Sequence, residues 1–195
     1  MTEQAEAGPD RHRVFFALWP DEATRAALSR ATRTAVQASG GRPIAKDRLH
    51  LTVAFLGELT AAGVAVARSV PPVEVGAFEL TLDAVGIWPD SRVLWLAPRV
   101  LPAPLEELEA RLWEQLAARG FAAEDRSYRP HVTLARRARP VETAAEPVRW
   151  RVEDLALVES FPDGRNVHYA VLERWPLDGG AAKRGTGQNT SGAVQ

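Results

Sequence analysis

Hydrophobic and polar residues alternate in short bursts along this chain and recur at helical spacing in two longer stretches. Residues 14–18 form an apolar run of strand length that Pro20 stops. Asp21 then offers an N-cap to an Ala-rich stretch free of Gly and Pro, residues 22–37, which predicts a helix ended by Gly40-Gly41. A strand follows over 49–56 and stops at Gly57. Residues 61–69 predict a short helix broken by Pro71-Pro72. Residues 78–87 and 92–97 read as two strands of a hairpin, because Trp88-Pro89-Asp90-Ser91 between them has turn chemistry. Leu105, Leu108, Leu112 and Leu116 mark a core-facing helix that Gly120 terminates. A strand over 131–135 comes next, then a last pair, 150–159 and 167–175, around Pro162-Asp163-Gly164. Residues 1–12 and 178–195 lack periodicity and are expected to be disordered tails flanking one domain, 13–177. The pattern gives an α+β fold class.

Two of the predicted strands carry the same short motif. One reads Leu49-His50-Leu51-Thr52-Val53, the other Pro130-His131-Val132-Thr133-Leu134. Side chains alternate along a strand, so His50 and Thr52 share one face, as do His131 and Thr133, with the apolar residues opposite. The motifs stand about half the ordered length apart, and each follows a strand and a helix. This suggests an internal duplication: two pseudo-symmetric lobes, each giving one motif strand to a shared cleft.

A paired imidazole and hydroxyl suit acid–base chemistry at an anion. Histidine titrates near working pH, so neutral imidazole serves as base and imidazolium as acid. Two of them could flank one phosphorus without a metal, while hydroxyls hold the oxygens that gain charge. Neither motif has an acid on its alternating face, so a zinc site is not expected. No GxxxxGK[ST] loop is present, which removes that route to ATP hydrolysis. His12 and His168 receive no role. A single His-x-Thr would be a polar outer face and nothing more; the pair is what argues for function.

Bulk properties narrow the setting. The 195 residues, 46% hydrophobic, can bury one proper core. There is no cysteine, hence no disulfide, thiol nucleophile or thiolate ligand. No apolar signal segment or membrane-spanning run is visible, so the expectation is a cytoplasmic monomer without cofactor. The net charge of −1 conceals a local excess: Arg126, Arg129, Arg136, Arg137 and Arg139 surround the second motif without an intervening acid. Arginine's planar fork matches phosphate. Strict alternation, however, puts Arg136 on the face opposite His131, so it reaches the site only if the strand bulges, twists or ends near Ala135.

The chain resembles the 2H phosphoesterases, most of all the bacterial RNA 2′,3′-cyclic phosphodiesterases once called 2′-5′ RNA ligases. The likeness runs from Val14-Phe15-Phe16-Ala17-Leu18-Trp19-Pro20 and Arg48-Leu49-His50-Leu51-Thr52-Val53-Ala54-Phe55-Leu56-Gly57 through Val93-Leu94-Trp95-Leu96. It continues in Tyr128-Arg129-Pro130-His131-Val132-Thr133-Leu134-Ala135-Arg136 and ends at Trp175-Pro176-Leu177. The segment 58–77 departs from the longer helix usual there. The resemblance implies a bilobal fold of two antiparallel-sheet lobes with helices outside and a central cleft. It implies hydrolysis of RNA 2′,3′-cyclic ends to 2′-phosphomonoesters, with His50 as proton donor and His131 as acceptor. Thr52, Thr133 and Arg136 would bind the phosphate. The alternatives are 2′-5′ ligation or 2′-5′ phosphodiester cleavage on the same site, and an RNA- or nucleotide-binding module without turnover.

Overall fold

A computed structural model describes residues 11–123, 127–142, 144–163 and 166–179. Arg126, Gly164 and most of both expected tails lie outside the described residues. The chain runs β1 (His12–Leu18), α1 (Glu22–Ser39), β2 (Arg42–Pro43), a 3-10 turn (Lys46–Arg48), β3 (Leu51–Leu59), α2 (Ala61–Arg68), β4 (Phe78–Leu82), β5 (Ala84–Trp88) and β6 (Val93–Ala97). It continues through α3 (Ala103–Ala117), β7 (Val132–Arg136), β8 (Val148–Val152), β9 (Asp154–Asp163) and β10 (Asn166–Pro176).

The helices begin and end where their caps dictate. Asp21 accepts the Thr24 N–H at 2.7 Å, and Gly40 closes α1 at φ 58°, a left-handed position that costs glycine nothing. Thr60 caps α2 through the Gly63 N–H at 3.2 Å. The four leucines of α3 are all fully buried.

One large antiparallel sheet has the order β10-β9-β1-β3-β7-β6-β5, and β2 pairs with β7 beside it. β4 and β8 form a separate two-stranded sheet. The two halves of the large sheet join between β3 and β7 through one register position, Leu51 opposite Val132. β9-β1-β3 on one side mirrors β5-β6-β7 on the other, which is the two-fold repeat expected from the motifs.

Two predicted strands are split. Residues 78–87 break at Asp83 and 150–159 at Glu153, so each contributes first to the β4–β8 ribbon and then to the large sheet. The breaks are pinned by hydrogen bonds: Asp83 donates its N–H to the Ala97 carbonyl, and the Glu153 carbonyl receives Leu177 N–H at 2.8 Å. At the ends, His12 belongs to β1 rather than to a tail, and Asp178 still bridges to Gly76.

The main core lies on one face of the large sheet, under the helices, and runs unbroken through both halves. α1 packs on β6, β7 and β8, whereas α2 packs on β1 and β3 and α3 on β3. Each motif strand is thus covered by the helix that precedes the other motif. The opposite face carries a small aromatic layer of Phe15, Trp19, Phe55 and Tyr169 over Ala17, Ala156 and Val158. That second face also carries the motifs.

Candidate active site

The single pairing at the sheet centre fixes the geometry. Leu51 and Val132 are both fully buried in the core, so their neighbours His50, Thr52, His131 and Thr133 project to the other face. Extending the antiparallel register by one residue sets His50 abreast of Thr133 and Thr52 abreast of His131. The four side chains surround the pseudo-two-fold axis. Both histidines sit at the residue just before their strands rather than within them.

That entry position has a use. His50 Nδ1 lies 2.7 Å from the Arg48 carbonyl and His131 Nδ1 lies 2.8 Å from the Arg129 carbonyl. A carbonyl only accepts, so each Nδ1 carries the proton and donates. Nε2 is thereby the working nitrogen of both rings: a lone pair when neutral, an N–H donor when charged.

The surroundings of the two rings differ. Phe15 and Trp19 stack on His50 with centroids at 5.0 and 5.2 Å, and Tyr169 meets it edge-on at 5.2 Å. Burial pushes the His50 imidazole down to about 4, outweighing the Arg48 carbonyl, which favours the charged form. The positive charges of His131 and Arg136 act in the same downward sense. His131 has an edge contact with Trp88 at 4.5 Å.

The charge effect of Arg136 on His50 requires the two to be close, and the strand register explains how. Trp95 pairs with Thr133 but Leu94 pairs with Ala135, so β7 carries one extra residue there. Such a bulge reverses the alternation beyond it. Leu134 and Ala135 are both buried, and Arg136, opposite Val93, returns to the face of Thr133. A register shift in β3 does the same after Thr52, since Ala17 pairs with Thr52 and Phe16 with Ala54. It leaves Phe55 where β7 has Arg136, with the Arg13 guanidinium 4.9 Å above its ring.

All five sequence-predicted site residues therefore share one face. His168 is exposed on the other face of β10, and His12 is turned to the Glu159 carboxylate, its Nδ1 2.6 Å away. Several neighbours escaped the sequence reading. The aromatic enclosure of His50 lay within segments that looked like ordinary apolar strand. Tyr128 is half-buried, and the burial of its hydroxyl raises that group well above the usual phenol range; it donates to the Thr52 carbonyl at 3.3 Å. Arg42 stands directly opposite Arg136 on β7, from a strand only two residues long that leaves no periodic trace. Among the described residues no three His, Asp or Glu side chains gather at ligating spacing, and no helix is long and apolar enough to cross a membrane.

Comparison with known proteins places this geometry. The RNA 2′,3′-cyclic phosphodiesterase of Escherichia coli (strain K12) is 36% identical over 170 residues, covering 85% of this chain and 96% of that protein. The protein of the same name from Thermus thermophilus is 32% identical over 185 residues, 86% of this chain and 91% of its own length. The crystal structure of E. coli LigT in apo form superposes with a TM-score of 0.77 at 33% identity, over 87% of this chain and 99% of that one. Residues 19–162 match the 2′-5′ RNA ligase superfamily as a whole. With both His-x-Thr motifs on one face of the joined sheet, the chain belongs to the 2′-5′ RNA ligase superfamily, the 2H phosphoesterases.

Proposed function

We propose that this protein hydrolyses the 2′,3′-cyclic phosphate at RNA 3′ ends by two-histidine acid–base catalysis. The observation that carries the reading is the twin Nδ1–carbonyl bond, which makes Nε2 the proton-transfer atom of both rings, across one axis lined by two threonine hydroxyls. His131 takes a proton from water as the water oxygen bonds to phosphorus. The P–O3′ bond breaks, and His50 gives its Nε2 proton to the departing O3′. The product keeps its phosphate on the 2′ oxygen. Thr52, Thr133 and Arg136 hold the non-bridging oxygens with donors set before the charge develops.

The depressed His50 pKa fits this scheme through the substrate itself. In the free protein burial keeps His50 neutral at pH 7, and the nearby Arg136 charge acts in the same sense. An anionic phosphate between these groups opposes both effects and draws a proton onto His50. All site residues come from one chain, which supports a monomeric working form, and an RNA end in the cytoplasm is the natural setting. Ligation is the same displacement with an RNA 5′-hydroxyl in place of water: its oxygen bonds to phosphorus, the P–O3′ bond breaks, and a 2′-5′ linkage results.

The test uses RNA ending in a 2′,3′-cyclic phosphate, incubated with the protein and a chelator. A 2′-phosphomonoester is expected, and H50A and H131A should each lower kcat by on the order of 10²–10⁴. A 3′-phosphate product would reverse the histidine roles. Activity abolished by chelator and restored by a divalent ion would overturn the metal-free mechanism.

A further inference from the structure

A second arginine shares the motif face with Arg136. Arg42 and Arg136 are paired across β2 and β7, so their side chains leave the same side of the sheet, and both are exposed. β2 does not sit there loosely. Ile44 N–H donates to the Leu134 carbonyl at 2.8 Å, and Arg139 N–H donates to the Ser39 carbonyl at 2.9 Å. Gly41 permits the approach: a Cβ there would lie 2.9 Å from the Arg136 carbonyl oxygen and 3.0 Å from Ala138 Cα. The chain then turns at Arg137, a non-glycine residue at φ 57°, whose carbonyl accepts from Arg92 Nη2 at 3.1 Å. Backbone held in this left-handed region by a side chain from the β5–β6 turn is a costly arrangement, of the kind that gathers at binding sites.

Position along the sheet says what Arg42 meets. β2 continues the line of β3 backwards past His50, so Arg42 and Arg136 form the next outward-facing rung after His50 and Thr133. That rung lies about 7 Å further along the strands, the rise of two paired positions. His50 is the histidine that serves the departing ribose, so the terminal nucleoside lies on its side of the phosphorus. The 5′ oxygen of that ribose, and the phosphodiester that joins it to the rest of an RNA, extend towards the same end. From this we infer that Arg42 forms a subsite for the phosphodiester on the 5′ side of the terminal nucleotide. The protein therefore prefers the ends of polynucleotides to cyclic mononucleosides. This rests on the proposed reaction and on the role of His50 as donor.

The experiment compares a dinucleotide ending in a 2′,3′-cyclic phosphate with the corresponding 2′,3′-cyclic mononucleotide lacking a 5′-phosphate. R42A should lower the ratio of their kcat/KM values at least about tenfold, with R42K in between, since a lysine keeps the charge without the fork. The salt dependence of dinucleotide kcat/KM should weaken by about one phosphate contact. A ratio within about twofold of the wild type would overturn the subsite, as would equal losses on both substrates. Binding of the 2′-phosphate product dinucleotide and mononucleotide, read by calorimetry, supplies the same ratio without turnover. A wild-type protein that hydrolyses neither cyclic substrate sinks the proposed reaction, whereas unchanged R42A selectivity in an active enzyme sinks only the subsite.

Discussion

The His50 ring is where packing and chemistry meet in this protein. Three aromatic rings remove its water, and a single carbonyl holds one nitrogen, so the imidazole resists a proton until an anion arrives. The same displacement has a consequence for stability. The folded-state value near 4 lies below the ordinary 6.5, so between these two pH values the unfolded chain binds a proton that the folded chain does not. Stability is therefore undiminished by His50 above pH 6.5 and is lost as pH falls towards 4. The full shift corresponds to at most about 3 kcal/mol. Carboxylates also titrate in this range, so the comparison needs a variant. Denaturant melts of the wild type and H50Q at pH 7 and pH 4 should show the wild type losing up to about 3 kcal/mol more than the variant. Parallel losses would mean that His50 is not held neutral by its surroundings. The two histidines and two threonines were legible from sequence because period-two alternation governs side chains on either side of one core-facing residue. The depressed His50 pKa was not, since the rings that bury it include Trp19 and Tyr169, which reach His50 from separate elements.

At the scale of strands, one added residue decides whether Arg136 belongs to the site. Alternation alone directs it into the core face; the bulge at Leu134 and Ala135 returns it beside Thr133. No glycine marks this bulge, and both residues are small or apolar enough to pass for ordinary strand, which is why the pattern pointed the wrong way. The splits at Asp83 and Glu153 were hidden in the same way, because apolar residues continue on both sides of each break. By contrast α1 announced itself by side-chain chemistry, through its capping residue Asp21. The neighbouring hairpin helps to hold the bulge in place. Trp95 lies across Gly86, where a Cβ would collide with the indole, and so forms a platform opposite Thr133. If Arg136 donates to the reacting phosphate, R136A should reduce kcat/KM on a cyclic mononucleotide by at least about tenfold, about 1.4 kcal/mol of transition-state stabilisation. A loss below about threefold would return it to the surface-charge class, bulge notwithstanding.

Across the whole molecule, the repeat exchanges its helices. α1 comes before the first motif yet covers the strands of the second, and α3 comes before the second motif yet packs on β3. β4 from the first half pairs with β8 from the second in the same spirit. Neither half can bury its core face alone, and the buried cluster includes Leu28 of α1 and Leu112 of α3 without a gap between them. This matters for catalysis, because the histidines are held across a narrow joint, one β3–β7 register position extended by the two β2–β7 pairs. Were the halves independent, that joint would open easily and the distance between the two Nε2 atoms would wander. The swapped helices couple the halves instead, so unfolding should be one cooperative transition. L28A and L112A each remove a fully buried leucine, one from each side, and should each cost about 2–5 kcal/mol. Both should displace the same single transition, seen alike by far-ultraviolet circular dichroism and by tryptophan fluorescence, with calorimetric and van't Hoff enthalpies in agreement. A variant that unfolds in two steps, losing one half while the other keeps its signal, would show that the joint between the motif strands is a hinge rather than a fixed seam.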